Sequence, residues 1–175
     1  MSIFNNLKND IAPAVGEVEN LVHHPIYRTP WYVSVVVDGK LWRGSWPDAV
    51  PLKMLKSGGV VASLNFCSER QQDDLIRSFG IVPYNIPVED NTAPTDADLE
   101  KAVDIFDWVT VPANPMMPGG ILFAHCEQGI GRTGCFIAGI RVKRCGWTPQ
   151  QALDEAMHYG LSLESQKAFI MGLKA

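Results

Sequence analysis

The chain is short of cysteine, of basic charge and of long apolar runs, and each shortage weighs against a class of protein. Its 4 cysteines, Cys67, Cys126, Cys135 and Cys145, include no Cys-x-x-Cys spacing. Of its 4 histidines, His23 and His24 are adjacent, a spacing that does not suit two ligands on one helix face. Neither a disulfide framework nor a structural zinc site is expected, and sparse cysteines suit a reducing compartment. Lys and Arg total 15 against 19 Asp and Glu, a net charge of −4, which weighs against nucleic acid or an anionic membrane as the main partner. No apolar stretch approaches the roughly 18–20 residues of a membrane span, and Met1-Ser-Ile-Phe-Asn-Asn-Leu-Lys8 lacks the basic-then-apolar order of a secretory leader. The expectation is a soluble, cytoplasmic, monomeric protein with no membrane insertion.

What is present reads as an ordinary folded domain. A length of 175 residues suits one core, and 46% apolar residues are a globular value. Residues 1–32, broken by Pro13, Pro25 and Pro30, read as an N-terminal extension packed on a domain that spans 33–175. Val33 to Val37 and Lys40 to Arg43 form a hairpin pattern around an Asp38-Gly39 turn. A short helix over 51–56 closes at Gly58-Gly59, and Val60 to Phe66 is an apolar, β-branched strand. A helix over 69–79 ends at Gly80, and a short strand covers 81–86. Thr95-Asp-Ala-Asp98 starts a helix whose apolar stripe is Leu99, Val103 and Phe106, and which stops before Pro112. Thr148-Pro149 opens a further helix running to about His158, and a last one covers about 163–172. Strands alternating with helices imply an α/β single domain, a central mostly parallel sheet of four to five strands flanked by helices. No repeat, linker or second domain is visible.

The informative stretch is Ile121-Leu-Phe-Ala124-His125-Cys126-Glu-Gln-Gly129-Ile-Gly131-Arg132-Thr133-Gly134. A short apolar strand, a Gly-rich turn and the start of a helix make an anion site, because unpaired backbone N–H groups converge there and the helix dipole adds to them. A cysteine in such a nest tends toward the thiolate. An arginine six positions later can hold two oxygens of a tetrahedral oxyanion with its planar fork. Nucleophile, oxyanion cradle and clamp in one loop describe a phosphate-ester site.

His125-Cys126-x5-Arg132-Thr133 resembles the phosphate loop of the cysteine-dependent protein tyrosine and dual-specificity phosphatases, and the likeness extends over about residues 33–172. It implies the dual-specificity-phosphatase-like fold, with Cys126 as nucleophile and Arg132 as phosphate clamp. His125 would orient the loop and favour the thiolate, and Thr133 would hydrogen-bond the sulfur. The N–H groups of Glu127, Gln128, Gly129, Ile130, Gly131 and Arg132 would form the cradle. No cofactor and no metal is implied.

The general acid is sought in two segments, one holding Asp48 and the other Asp90, with Glu89, Asp96 and Asp98 as rivals of Asp90 on the second. Trp46-Pro47-Asp48 resembles the acid loop of the tyrosine-specific branch, but it precedes the second strand and lies far ahead of the cysteine. Leu41 to Asp48 instead resembles a Tyr-Arg-Ser-x-x-Pro element near the start of compact dual-specificity-like phosphatases, where Asp48 would be a cap or turn residue. Asp90, in Ile86-Pro-Val-Glu-Asp90-Asn-Thr-Ala-Pro94, lies between a strand and a helix on a loop able to close over the site. It resembles the acid of the dual-specificity and lipid-phosphatase branches. Leu64-Asn-Phe-Cys67-Ser-Glu-Arg70 resembles a stretch of the lipid-phosphatase branch in which a second cysteine captures the oxidised nucleophile, which makes Cys67 a candidate redox partner.

The expected activity is hydrolysis of phosphate monoesters, phosphotyrosine and also phosphoserine or phosphothreonine, on a phosphorylated protein or a small ester. An inositol polyphosphate, a phosphoinositide and an RNA 5′-phosphate are alternative substrates, and a phosphate-binding module is the non-enzyme alternative. His-Cys-Glu-x-Gly-x-Gly-Arg-Thr also resembles bacterial phosphatases acting on inositol polyphosphates. Such substrates need many cations, and here Arg43, Lys143 and Arg144 would help only if folding brings them to the site.

Overall fold

Five strands form one sheet in the order β1-β2-β5-β3-β4. They are β1 (Val33–Val37), β2 (Leu41–Gly44), β3 (Val60–Cys67), β4 (Val82–Val88) and β5 (Ile121–His125). The computed structural model describes residues 32–37, 39–111 and 119–174. The expected extension over 1–32 therefore lies outside the described residues except for Tyr32. β1 and β2 pair antiparallel, and β5 runs parallel to both its neighbours, with Leu41 opposite Leu122 and Asn65 opposite His125. The expected mostly parallel sheet is present, with the hairpin at one edge.

The helices are α1 (Ala49–Ser57), α2 (Asp73–Ser78), α3 (Asp96–Thr110), α4 (Gly131–Cys145), α5 (Pro149–His158) and α6 (Glu164–Met171). They cover both faces, so β3 and β5 are buried almost throughout; β5 is apolar up to His125, and β3 is apolar except at Ser63 and Asn65. The period of two shows instead in which core each residue joins. Leu122 and Ala124 face the larger cluster with Phe136, Ile137 and Ile140 of α4. Phe123 faces the smaller one with Leu52 and Leu55 of α1 and Ile76 of α2. A Cβ on Gly139 would sit 2.2 Å from Leu99 Cδ1, so glycine there lets α4 lie close against α3.

Helix starts follow local chemistry where capping residues exist. Asp48 Oδ1 accepts from Val50 N at 3.1 Å and caps α1, the role expected of it. Thr95 and Thr148 each form a reciprocal capping box, with Asp98 and Gln151, worth about 1 kcal/mol apiece. Most boundaries fall within two residues of expectation, and one departs further. The helix expected over 69–79 forms only from Asp73, because Glu69 and Arg70 are drawn into ion pairs at the sheet edge. The helix after the phosphate loop begins at Gly131, and its N-cap, Ile130, supplies no side-chain bond. Its first N–H groups are thus left for something else.

Candidate active site

The C-terminal ends of β3, β4 and β5 meet at one edge, and the loop Cys126–Arg132 emerges there. Ligands favour this edge of an open parallel sheet because loops and helix N-termini converge on it. Gly129 is the bend: its φ of +71° is left-handed, and a Cβ would meet the Gly44 carbonyl oxygen at 2.2 Å, so only glycine fits. A Cβ on Gly131 would approach Gln166 Oε1 to 2.7 Å. The cysteine is 3% exposed, and its Sγ accepts from Gly129 N at 3.2 Å. The loop thus already turns a main-chain donor onto the sulfur.

Arg132 is 3% exposed, and its guanidinium is fixed from several directions. Nη1 donates to Glu69 Oε2 at 2.8 Å and Nη2 to Glu69 Oε1 at 2.9 Å. Nη1 also reaches the Val88 carbonyl at 3.2 Å, and Asp90 Oδ1 lies 3.0 Å from Nη2. Burial works against the arginine's charge, but the Glu69 hydrogen bonds together with the electrostatic pull of Cys67, Cys126 and Glu69 outweigh it and raise the pKa. The same hydrogen bonds hold Glu69 down at about 2. Asp90, proposed as the acid from sequence, is therefore brought to the clamp, whereas Asp48 is engaged at the start of α1.

His125 is fully buried between Phe123, stacked at 5.3 Å between ring centroids, and Trp46, edge-on at 5.4 Å. Burial lowers its pKa from 6.5 to about 3, partly offset by the nearby Cys126 main chain. Neither ring nitrogen has a hydrogen-bond partner among the described residues. The two aromatic contacts hold the imidazole at the end of β5, directly before Cys126. Thr133 Oγ1 is likewise buried without a partner among the described residues, so the expected bond to sulfur is not formed in this state.

Cys67 closes β3, two residues past the Asn65–His125 register pair, and is a buried free thiol. Burial pushes its pKa well up, with Arg132 acting the other way and Glu69 and Cys126 adding to the rise. Cys67 Sγ and the carboxylates of Glu69 and Glu127 lie within 4.8 Å of one another, a grouping with cation-site spacing. Arg132 already matches Glu69, and Arg70 matches Glu127 at 2.8 Å, so the positive charge that a metal would bring is supplied by side chains.

Two residues that sequence reading did not assign a role stand at the site. Glu69 lies within the Leu64 to Arg70 stretch, two residues after Cys67, and nothing local marks its distant partner Arg132. Gln166, 2% exposed on α6, donates from Nε2 to the Thr92 carbonyl at 2.8 Å and lines the cleft; no local pattern marks it. The cleft has a volume of about 240 Å³. Cys126, Gly131 and Arg132 line it together with Asp90, Glu127 and the apolar side chains of Ile130, Leu161 and Leu163.

Known proteins share this arrangement of elements. Dual specificity protein phosphatase TpbA of Pseudomonas aeruginosa is 28% identical over 124 residues, 71% of this chain and 53% of the relative, so the chain spans about half the length of that protein. The crystal structure of P. aeruginosa TpbA in complex with pTyr superposes with a TM-score of 0.64 at 20% identity, covering 83% of this chain and 92% of the other. The core catalytic domain of the PP-IP phosphatase Siw14 from Saccharomyces cerevisiae gives 0.65 at 23%, covering 81% and 85%. At these identities the superpositions establish the fold. The family described as "Polymorphic toxin system, DSP-PTPase phosphatase" matches residues 39–146, from the hairpin turn through the phosphate loop to the end of α4. Since that match takes in more than half of the sequence, the chain belongs to the DSP-PTPase phosphatase family.

Proposed function

We propose that this protein hydrolyses phosphate monoesters through a phosphocysteine intermediate, with phosphotyrosine on a protein as the preferred substrate. The carrying observation is the composition of the cleft. Among the described residues that line it, Arg132 is the one cation, Asp90 and Glu127 are anionic, and Ile130, Leu161 and Leu163 are apolar. Such a cleft suits one phosphate on an aromatic stem better than a ring bearing many phosphates. Of the cations that could have served an inositol polyphosphate, Lys143 and Arg144 are paired with Glu100 and Asp107, and Arg43 is wholly buried. The family relationship supports the reaction class, and the phosphotyrosine complex of TpbA is consistent with the substrate.

In the proposed reaction the Cys126 thiolate attacks phosphorus in line, forming S–P as the ester P–O bond breaks. Arg132 and the loop N–H groups stabilise the equatorial oxygens. Asp90 gives its proton to the leaving oxygen, then takes one from the water that attacks S–P, returning the thiolate and inorganic phosphate. Thr133 would donate its hydroxyl to the departing sulfur. His125 would hold the strand end in place, and a phosphoserine or phosphothreonine ester would follow the same steps.

The test is a substrate panel with EDTA present: phosphotyrosine and phosphothreonine peptides, inositol hexakisphosphate, a phosphoinositide and RNA 5′-triphosphate. Phosphotyrosine peptide should give the highest kcat/KM, vanadate should inhibit, and Cys126→Ser should bind peptide without turnover. Turnover retained in Cys126→Ser would end the cysteine mechanism, and preference for inositol hexakisphosphate would end the substrate assignment.

A further inference from the structure

Arg43 sits in β2 on the same side of the strand as core residue Leu41, and it is 0% exposed. A guanidinium in that position has a cost unless its charge or its donors are used. Nη2 donates to the Gly129 carbonyl at 2.7 Å and lies 3.4 Å from the Ile130 carbonyl. The Tyr159 ring stacks on its face at 4.1 Å. Nε and Nη1 have no hydrogen-bond partner among the described residues.

These contacts lie behind the phosphate loop, and peptide geometry carries their effect to the front. A trans peptide holds its C=O and the following N–H on opposite sides. Whatever grips a loop carbonyl from behind therefore aims the next N–H forward. The Glu127 carbonyl accepts from Trp46 N at 3.0 Å, which sets the N–H of Gln128. The Gly129 carbonyl accepts from Arg43 and also from the Tyr32 hydroxyl at 2.6 Å, which sets the N–H of Ile130. The Ile130 carbonyl accepts from Gly134 N at 2.8 Å with Arg43 as a second donor, which sets the N–H of Gly131.

We infer that Arg43 is a positioning residue for the oxyanion cradle: it aims the Ile130 and Gly131 N–H groups at the phosphate and places a fixed buried cation behind it. The inference deepens the phosphatase reading above and rests on it. In a water-excluded site such a charge acts on an oxyanion more strongly than a surface one.

The experiment separates the two readings by measuring phosphate binding apart from turnover. Inorganic phosphate is titrated calorimetrically into Cys126→Ser carrying Arg43→Met, Arg43→Lys or Tyr32→Phe, and kcat is measured for the same substitutions with Cys126 intact. Unfolding midpoints are recorded for each. Arg43→Met should weaken phosphate by about tenfold or more, as for loss of a charge-assisted hydrogen bond. It should lower kcat by roughly 10²–10³, as for loss of one oxyanion donor. Arg43→Lys should restore part of kcat, and Tyr32→Phe, which leaves Arg43 on the carbonyl, should cost less than Arg43→Met. Phosphate affinity and kcat in folded Arg43→Met within about twofold of the parent would overturn the inference. Should Arg43→Met not fold, Arg43→Lys decides, since an ammonium lacks the planar fork; full wild-type affinity and kcat there overturn it too. A parent that binds phosphate but turns over no ester refutes the activity while the binding series still judges Arg43. A parent that binds no phosphate refutes both.

Discussion

Arg132 and Glu69 meet end to end, two nitrogens on two oxygens at 2.8 and 2.9 Å, with the arginine buried and the glutamate side chain 42% exposed. A fork-to-fork pair fixes the plane of the guanidinium as a single contact would not. Because the Glu69 pKa falls from 4.5 to about 2, its contribution to stability is complete above 4.5 and is lost only as pH falls through about 2. The grip is therefore intact throughout any ordinary assay range.

Glu69→Ala should leave Arg132 charged but free to swing. A misplacement of about 1 Å at a reacting centre can cost on the order of 10² in rate, so kcat/KM should fall by about 10–10². Steady-state kinetics on phosphotyrosine peptide check this, and an unchanged kcat/KM would show that Val88 and the loop suffice to hold the clamp.

Asp90 lies 3.0 Å from the same guanidinium, on the loop between β4 and α3. Asp90→Asn should slow esters with poor leaving groups by roughly 10²–10⁴ and esters with good leaving groups much less. Asp48→Asn should lose at most about 1 kcal/mol of stability through the α1 cap and keep its kcat. A large kinetic effect at Asp48 with none at Asp90 would reverse the assignment.

His125 titrates far below its value in the unfolded chain, from 6.5 down to about 3. The folded state keeps it neutral, so below 6.5 the unfolded chain binds the extra proton and stability falls as pH drops from 6.5 toward 3. Above 6.5 this contribution is complete. Urea unfolding midpoints of wild type should decline across pH 6.5 to 4, and His125→Asn should decline less steeply, whatever its absolute stability. Parallel curves would show that His125 is protonated in the fold.

Cys67 supplies the redox test. Peroxide should convert the Cys126 thiolate to a sulfenic acid, and attack by Cys67 sulfur should release water and leave a disulfide. Since burial keeps the Cys67 thiol protonated, capture should be slow and favoured at higher pH. Wild type treated with mild peroxide and then dithiothreitol should recover more activity than Cys67→Ser, with a 67–126 crosslink in the peptide map. Equal recovery without the crosslink would make Cys67 a packing residue only.

The sequence by itself determined whatever depends on near neighbours. The capping residues Asp48, Thr95 and Thr148, the hairpin and the Gly-rich turn after β5 are local chemistry, and each stands where its residues require. The proposed phosphate loop is legible for the same reason, since its proposed nucleophile, cradle and clamp occupy one turn. The start of α2 is not legible locally, because Glu69 and Arg70, helix-compatible by propensity, are claimed by Arg132 and Glu127 from another part of the chain. Tertiary structure alone decided the rest. Strand order brings Glu69 and Asp90 onto Arg132 and sets Arg43 and Trp46 behind Gly129 and Glu127. Burial, with the Arg70 charge acting the same way, lowers the His125 pKa, because the cost of charging an imidazole depends on what the fold packs around it.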